Sequence, residues 1–298
     1  MQMRIRDLAR TAVGNITAHG LSKVELDELN ASAIRSIGTE RAYRDVYIEY
    51  LHWLRDHQLP LDEAHTRGMM LEFLDDYAEL HMQKSVNRAV QALQKIFSVA
   101  LPSVESCVVP TVEGRAYSFS AVRSIVTNQS PKNGLSTLLC YDGGFRAHEC
   151  ITLRRPCGES PSVHRNWSHD RFVGRTDYEL YLVDGKGGLV RAVALSIELA
   201  RELEKYARPA PVTVRDREID YISHYDIGGG QALSSSFSYA SERALGYSHG
   251  VHGMRHSFAW NRLAALIPLV GPRRALEILA QELGHFRVSI TLNYLVGG

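Results

Sequence analysis

Four short stretches of the chain concentrate residues able to act on a phosphate ester. Gly250-Val-His252-Gly-Met-Arg255-His256 sets an imidazole and a guanidinium three positions apart, which on a helix is one face. Leu283-Gly-His285-Phe-Arg-Val-Ser-Ile-Thr291-Leu-Asn-Tyr294 adds a second histidine and a tyrosine. Gly143-Gly-Phe-Arg146-Ala-His-Glu149 adds an arginine followed three residues later by a carboxylate, and Gly185-Lys186-Gly187 puts a lysine at what reads as a hairpin tip. Breaking a phosphodiester without a metal needs cations on the two non-bridging oxygens, a nucleophile, and an acid for the leaving oxygen. Arg255 and Arg146, arriving from different helices, supply two planar forks for one phosphate. Lys186 can protonate a leaving 5′ oxygen. Tyr294, with an ordinary pKa of about 10, can attack once a nearby base or cation takes its proton.

Each piece alone has an ordinary explanation. His249, His252 and His256 have helical spacing suited to a metal, yet no local carboxylate or cysteine joins them, and no metal is expected. Arg146 with Glu149 would otherwise be a surface helical pair worth about 0.2–0.5 kcal/mol. Lys186 would be a solvated turn lysine; no G-x-x-x-x-G-K-[ST] frame surrounds it, which excludes a nucleotide P-loop. Tyr294 would be a packing tyrosine.

The order of the pieces gives them a common meaning. The Arg146 segment, Gly185-Lys186-Gly187 with Arg191-Ala-Val-Ala-Leu195, the H-x-x-R of His252 and Arg255, and Leu283-Gly-His285 with Thr291-x-x-Tyr294 resemble, in sequence order, the signature segments of the tyrosine recombinase (phage integrase) family. The resemblance implies a site-specific DNA recombinase that cuts and rejoins strands through a 3′-phosphotyrosine on Tyr294, for integration, excision or resolution, without a cofactor. It also implies that His252 assists Tyr294, that His285 bonds the phosphate, and that Glu149 orients the cluster. The implied partners are double-stranded DNA bearing a specific recombination site and further copies of the chain in a tetrameric synapse. Two other readings stand beside it: a nicking-closing enzyme like the type IB topoisomerases, which would use the same residue types, and, from a different class, a DNA-binding accessory protein that has lost catalysis. Val251 and Gly253 stand where the family commonly has Pro and Asp, and Ala194 where a Pro often ends the hairpin segment. Only Leu295-Val-Gly-Gly298 follows Tyr294, where many relatives carry a docking helix, so a monomer is expected away from DNA.

Positioning these residues falls to a mainly α chain. From Ser22 to about Ala100 helical periods follow one another: a capping-box start at Ser22-Lys-Val-Glu25, then stripes of Val46, Tyr47, Tyr50, Leu51 and Leu54, of Met70, Phe73, Leu74, Tyr77 and Leu80, and of Val86, Ala89, Val90, Leu93 and Phe97 in a helix capped by Ser85. Lys84, Arg88, Gln91 and Lys95 line another face of that last helix, a candidate DNA-binding face, and Lys84-Ser-Val-Asn-Arg88 resembles the start of the family's DNA-contacting helix. Leu101–Gly114, with two prolines, reads as a linker. Tyr178 to Leu195 predicts a hairpin, with helices before and after it, the last ones opening near Ser236, His252, Pro272 and Ser289. The expected architecture is two domains: a helical core-binding domain at 1–108, and a mostly α catalytic domain at 112–298 with a small antiparallel β-sheet.

Composition bounds the partners. The 298 residues carry a net charge of +1, which excludes a histone-like cation or an acidic tail as the basis of function. Residues 1–110 hold 12 basic and 15 acidic side chains, so the remainder is the more cationic part, and it also holds eight of the 13 histidines. The four cysteines, Cys107, Cys140, Cys150 and Cys157, form no C-x-x-C pair, which favours reduced thiols. The charged N-terminus lacks the apolar core of a signal peptide, no apolar run reaches the length of a membrane span, and a cytoplasmic protein is expected.

Overall fold

The computed structural model describes residues 4–19, 33–61, 65–108, 114–185, 188–217 and 219–295. The chain divides into two compact units, Met1–Thr111 and Val112–Gly298.

In the first unit the apolar stripes become the core of four helices: α1 (Ile5–Gly14), α2 (Ile37–Asp56), α3 (Arg67–Leu80) and α4 (Gln83–Phe97). Ser36 starts α2 by accepting the Thr39 N–H at 3.1 Å, and Thr66 starts α3 by accepting that of Met69 at 3.2 Å, each satisfying an otherwise orphaned donor. Tyr50, Leu51, Leu54, Leu74, Val86, Ala89 and Leu93 have no exposed surface. Four expectations change. Leu80, placed on the α3 stripe, is 78% exposed because the helix ends there. Ser85 does not cap α4; the helix opens after Met82, and the Ser85 N–H already bonds the Met82 carbonyl inside the first turn. Helix α1 precedes the first one expected, and the Ser22–Glu25 capping box lies outside the described residues. The start of the expected linker belongs to this unit: Leu101 is buried in its core, and the Cys107 N–H bonds the Ala78 carbonyl at 2.9 Å.

The second unit opens with α5 (Phe119–Thr127) and α6 (Pro131–Gly143), capped by Ser118 and Ser130, followed by a one-turn 3-10 helix (Ala147–Cys150). Strands β1 (Tyr178–Asp184) and β2 (Val190–Ser196) pair antiparallel with Leu180 opposite Ala194. Then come α7 (Ile197–Glu204), β3 (Ala207–Asp216), β4 (Ile219–Tyr225), α8 (Gly230–Leu245), α9 (His252–Glu282) and α10 (Val288–Leu292). The mainly α class is as expected, but the one small sheet is two separate two-stranded sheets, β1–β2 and β3–β4. Pro209 and Pro211 argue against a strand at β3; they are tolerated because the ladder is interrupted there, its register jumping between the Ala207 and Val212 pairs. The helices expected at His252 and Pro272 are both present, numbered together as α9 and separated by a kink at Gly271, whose φ of 77° is non-helical and which Pro272 follows. Val122, Ile125, Leu139, Tyr181, Leu195 and Phe237 form a core onto which the first turn of α9 packs through Met254. No helix among the described residues is long and apolar enough to cross a membrane.

Candidate functional site

The site lies wholly in the second unit and is assembled from the end of α6, the 3-10 turn, β2, the first turn of α9, and the segment from Leu283 through α10. Gly144 closes α6 at φ 64°, in the left-handed region that favours glycine. A Cβ there would also lie 2.5 Å from the ring of Phe258 on α9, so the chain passes close enough to deliver Arg146 to that helix. Arg146 is not on an α-helix, as its spacing to Glu149 suggested. It precedes the 3-10 turn, and Glu149 closes that turn by accepting the Arg146 backbone N–H at 2.8 Å and its Nη1 at 2.7 Å. The pair is no surface ornament, since Glu149 is fully buried.

Arg255 comes from α9, also fully buried, and donates to the carbonyls of Gly144 and Leu283. His285 Nε2 stands 3.3 Å from Nη2 of Arg146 and 3.3 Å from Nη2 of Arg255. Guanidinium groups only donate, so Nε2 is the acceptor and the proton sits on Nδ1, which faces Thr291 Oγ1 at 3.4 Å. The Tyr294 ring is enclosed by imidazoles, with centroids 5.3 Å from His252, 4.8 Å from His256 and 5.2 Å from His285, and the Arg255 guanidinium lies 5.4 Å over it. His256 Nδ1 donates to the Tyr294 carbonyl at 3.2 Å, tying α10 back to α9. His249 stands against Tyr117 and Tyr247 instead. Gly253, beside His252, has a steric reason: a Cβ there would lie 2.5 Å from the Tyr117 ring and 2.6 Å from the Arg115 carbonyl.

The electrostatics follow from burial among cations. Burial is the largest influence on Glu149 and acts to raise its pKa, but Arg191, Arg255 and Arg146 together hold it well below the usual carboxylate range. Burial, and then the neighbouring cations led by Arg255, lower His252 to about 4 and His285 to about 3. Burial also lowers Arg255, to about 10, which leaves it charged at neutral pH. At pH 7 the site therefore presents three guanidinium groups, one carboxylate and neutral imidazoles: a cationic pocket with proton acceptors beside a phenol.

Six of the expected residues, Arg146, Glu149, His252, Arg255, His285 and Tyr294, are brought together. Lys186 lies outside the described residues; its neighbour Gly185 is close to the cluster, where a Cβ would be 3.4 Å from Glu149 Oε1. Lys84, Arg88 and Gln91 are exposed on α4 in the first unit, with Lys95 half-buried. Gln91 and Lys95 line a groove of about 470 Å³ with Arg35, Ser36, Thr39 and Tyr43. One member was not assigned from sequence: Arg191 on β2 is 1% exposed and bonds Glu149 Oε2 at 2.7 Å and the Glu282 carbonyl at 2.6 Å. A lone arginine within the apolar run Val190–Leu195 was the available signal.

No family model matches this sequence, and no curated protein matches it either. Solved structures do. A XerH site-specific recombinase bound to a palindromic difH substrate, a post-cleavage complex, aligns over 97% of this chain and 90% of its own, at 16% identity and a TM-score of 0.55. Its pre-cleavage complex with difH aligns over 98% and 91% at 15% identity, TM-score 0.53. A lambda integrase dimer bound to a COC′ core site aligns over 97% and 75% at 13% identity, TM-score 0.51. The chain therefore has the fold of the site-specific recombinases and integrases.

Proposed function

We propose that this chain is a site-specific DNA recombinase, a strand transferase of the tyrosine recombinase kind. The observation that carries the reading is the enclosure of Tyr294 by His252 and His285 beneath Arg255, with Arg146 sharing His285. In the proposed step Tyr294 Oη bonds to the scissile phosphorus and the P–O5′ bond breaks. His252, neutral at pH 7, takes the phenolic proton, and Lys186 gives one to the leaving 5′ oxygen. Arg146 and Arg255 hold the non-bridging oxygens, and loss of one such donor typically slows a reaction by about 10²–10³. With the two forks turned to the phosphate, His285 Nε2 no longer accepts from them and, carrying the ring proton, donates to the same phosphate, while Glu149 and Arg191 fix the two forks. A 5′-hydroxyl from a partner strand reverses the step, so the bond energy stays in the protein–DNA link and neither nucleotide nor metal is required.

On this reading the second unit is the catalytic domain and the first a core-binding domain, its α4 face of Lys84, Arg88, Gln91 and Lys95 laid on duplex DNA. Four copies would meet on paired sites. The test is a duplex nicked beside the cleavage position, so that the cleaved fragment diffuses away and the adduct accumulates. Wild type is expected to form a covalent adduct in EDTA. Tyr294→Phe is expected to bind as well and form none; an adduct from that variant would overturn the nucleophile assignment. Adducts without recombinant products on two-site DNA would point to a nicking-closing enzyme, and binding without adducts to an accessory protein.

A further inference from the structure

The stretch between the 3-10 turn and β1 carries a row of aromatic and cationic side chains that the reaction above leaves unused. Trp167 meets Phe286 edge-on, with centroids 4.9 Å apart and planes at 62°. The Arg171 guanidinium lies 4.4 Å over Trp167 and 4.8 Å over Phe172, and that of Arg165 lies 5.0 Å over Phe286. Arg171 is 8% exposed with no hydrogen-bond partner on Nε or Nη1, so stacking is a main part of what holds it there. The row is anchored to α9, where the Ser168 N–H bonds Gln281 Oε1 at 2.7 Å and Asp170 takes Arg274 Nη2 at 2.6 Å.

Two parts of the candidate site end on this row. Phe286 directly follows His285 and begins the run through α10 to Tyr294; α10 is five residues long, too short to hold itself. On the other side, the Trp167 indole N–H donates to the Ser162 carbonyl at 3.1 Å. Ser162 in turn exchanges bonds with Val190, its N–H to the Val190 carbonyl and the Val190 N–H to its Oγ, both at 2.9 Å. Val190 is the first residue of β2 after the turn that contains Lys186. Trp167 thus touches the tyrosine segment with its ring and is linked through Ser162 to Val190, where β2 begins.

We infer that Trp167 is a positioning residue that holds the Phe286–Tyr294 segment with its ring and, through Ser162 and Val190, the start of β2. The inference rests on the reading of Tyr294 as nucleophile and Lys186 as acid.

Hydrogen exchange and adduct kinetics test it together, on the full chain. In Trp167→Ala, amides of 286–293 and 188–190 should exchange faster while those of α8 and the first turns of α9 keep wild-type protection. Adduct formation should slow about tenfold, the size of a lost aromatic pair, with DNA affinity unchanged. Trp167→Phe keeps a ring against Phe286 but lacks the indole N–H. Its 286–293 amides should stay protected, and its slower cleavage should recover on DNA with a 5′-bridging sulfur, whose thiolate leaves without a proton. Trp167→Ala should recover only partly on that substrate. Wild-type exchange at either segment in Trp167→Ala, or a wild-type adduct rate, overturns the inference. Absence of any adduct from wild type would instead sink the recombinase reading, and the exchange data would still decide what Trp167 holds.

Discussion

Glu149 and Arg191 form an ion pair from which water is excluded, Oε2 to Nη2 at 2.7 Å with neither side chain more than 1% exposed. It ties β2 to the 3-10 turn that presents Arg146, and Glu149 Oε2 lies 3.8 Å from Arg255 Nη1 as well. Glu149 is thus the one carboxylate among three guanidinium groups, whereas Arg191 is one cation of three around it.

That asymmetry predicts a ranking. Removing one partner of a buried pair typically costs about 3–5 kcal/mol because the other charge is stranded. Glu149→Ala strands three cations and should fall at or beyond the top of that range; Arg191→Ala leaves Glu149 two other arginines and should fall at the bottom. Urea denaturation measures both, and a larger loss for Arg191→Ala would contradict the arrangement.

Acid should weaken the fold through the imidazoles. His252 at about 4 and His285 at about 3 lie below the value of about 6.5 for an unfolded histidine. Between those values the unfolded chain binds more protons, so stability is full above about pH 6.5 and is lost as pH falls towards 4 and 3. At pH 5 the loss should be about 1–2 kcal/mol per histidine, read as a lower Tm than at pH 7. His252→Asn with His285→Asn should flatten the dependence. Duplex DNA should flatten it in part, because a phosphate between Arg146 and Arg255 offsets the cations that add to the larger effect of burial on both rings. A wild-type Tm equal at pH 5 and 7 would refute this account.

Gly253→Ala tests the close approach beside His252. The new methyl would meet the Arg115 carbonyl as well as the Tyr117 ring, and Tyr117 is held by its backbone N–H to Ser257 Oγ at 2.7 Å and by the His249 N–H to its Oη at 2.6 Å. Neither neighbour yields easily, so overpacking should cost about 1–3 kcal/mol and slow adduct formation by displacing His252. Stability equal to wild type would show that the segment at Arg115 moves freely.

The site was legible in sequence where chemistry and spacing coincide. His252 and Arg255 one helical turn apart, and Tyr294 nine residues after His285, needed no tertiary information to be suspected. Arg191 was not legible in that way, because its role comes from a contact with Glu149 across 42 positions that no local period encodes. The same limit applies to Trp167, whose partner Phe286 is distant in sequence. In the fold, β3 was hidden by Pro209 and Pro211, residues that signal a break unless the bulge accommodating them is known. Helices with wide apolar stripes, α2 above all, were the readable part because burial alone specifies them.

On the proposed reading, the face of α4 would separate charge from readout. Lys84 and Arg88 are exposed, Lys95 is half-buried beside the groove that includes Arg35, and Val86, Ala89, Val90 and Leu93 are turned into the core. A cation that neutralises a phosphate releases counterions, so each contact adds about 0.9 to the log–log slope of affinity against salt. Lys84→Ala and Arg88→Ala should each flatten that slope by up to this amount and weaken binding to all sequences alike. Gln91, exposed one turn beyond Arg88, carries an amide that can pair with an adenine edge. Gln91→Ala should leave the slope as it is and narrow the gap between specific and unrelated DNA. Fluorescence anisotropy across a salt series, run on both DNAs, distinguishes the two effects. A slope untouched by Lys84→Ala and Arg88→Ala would make this face plain solvent-exposed helix and move the DNA contact of the first unit elsewhere.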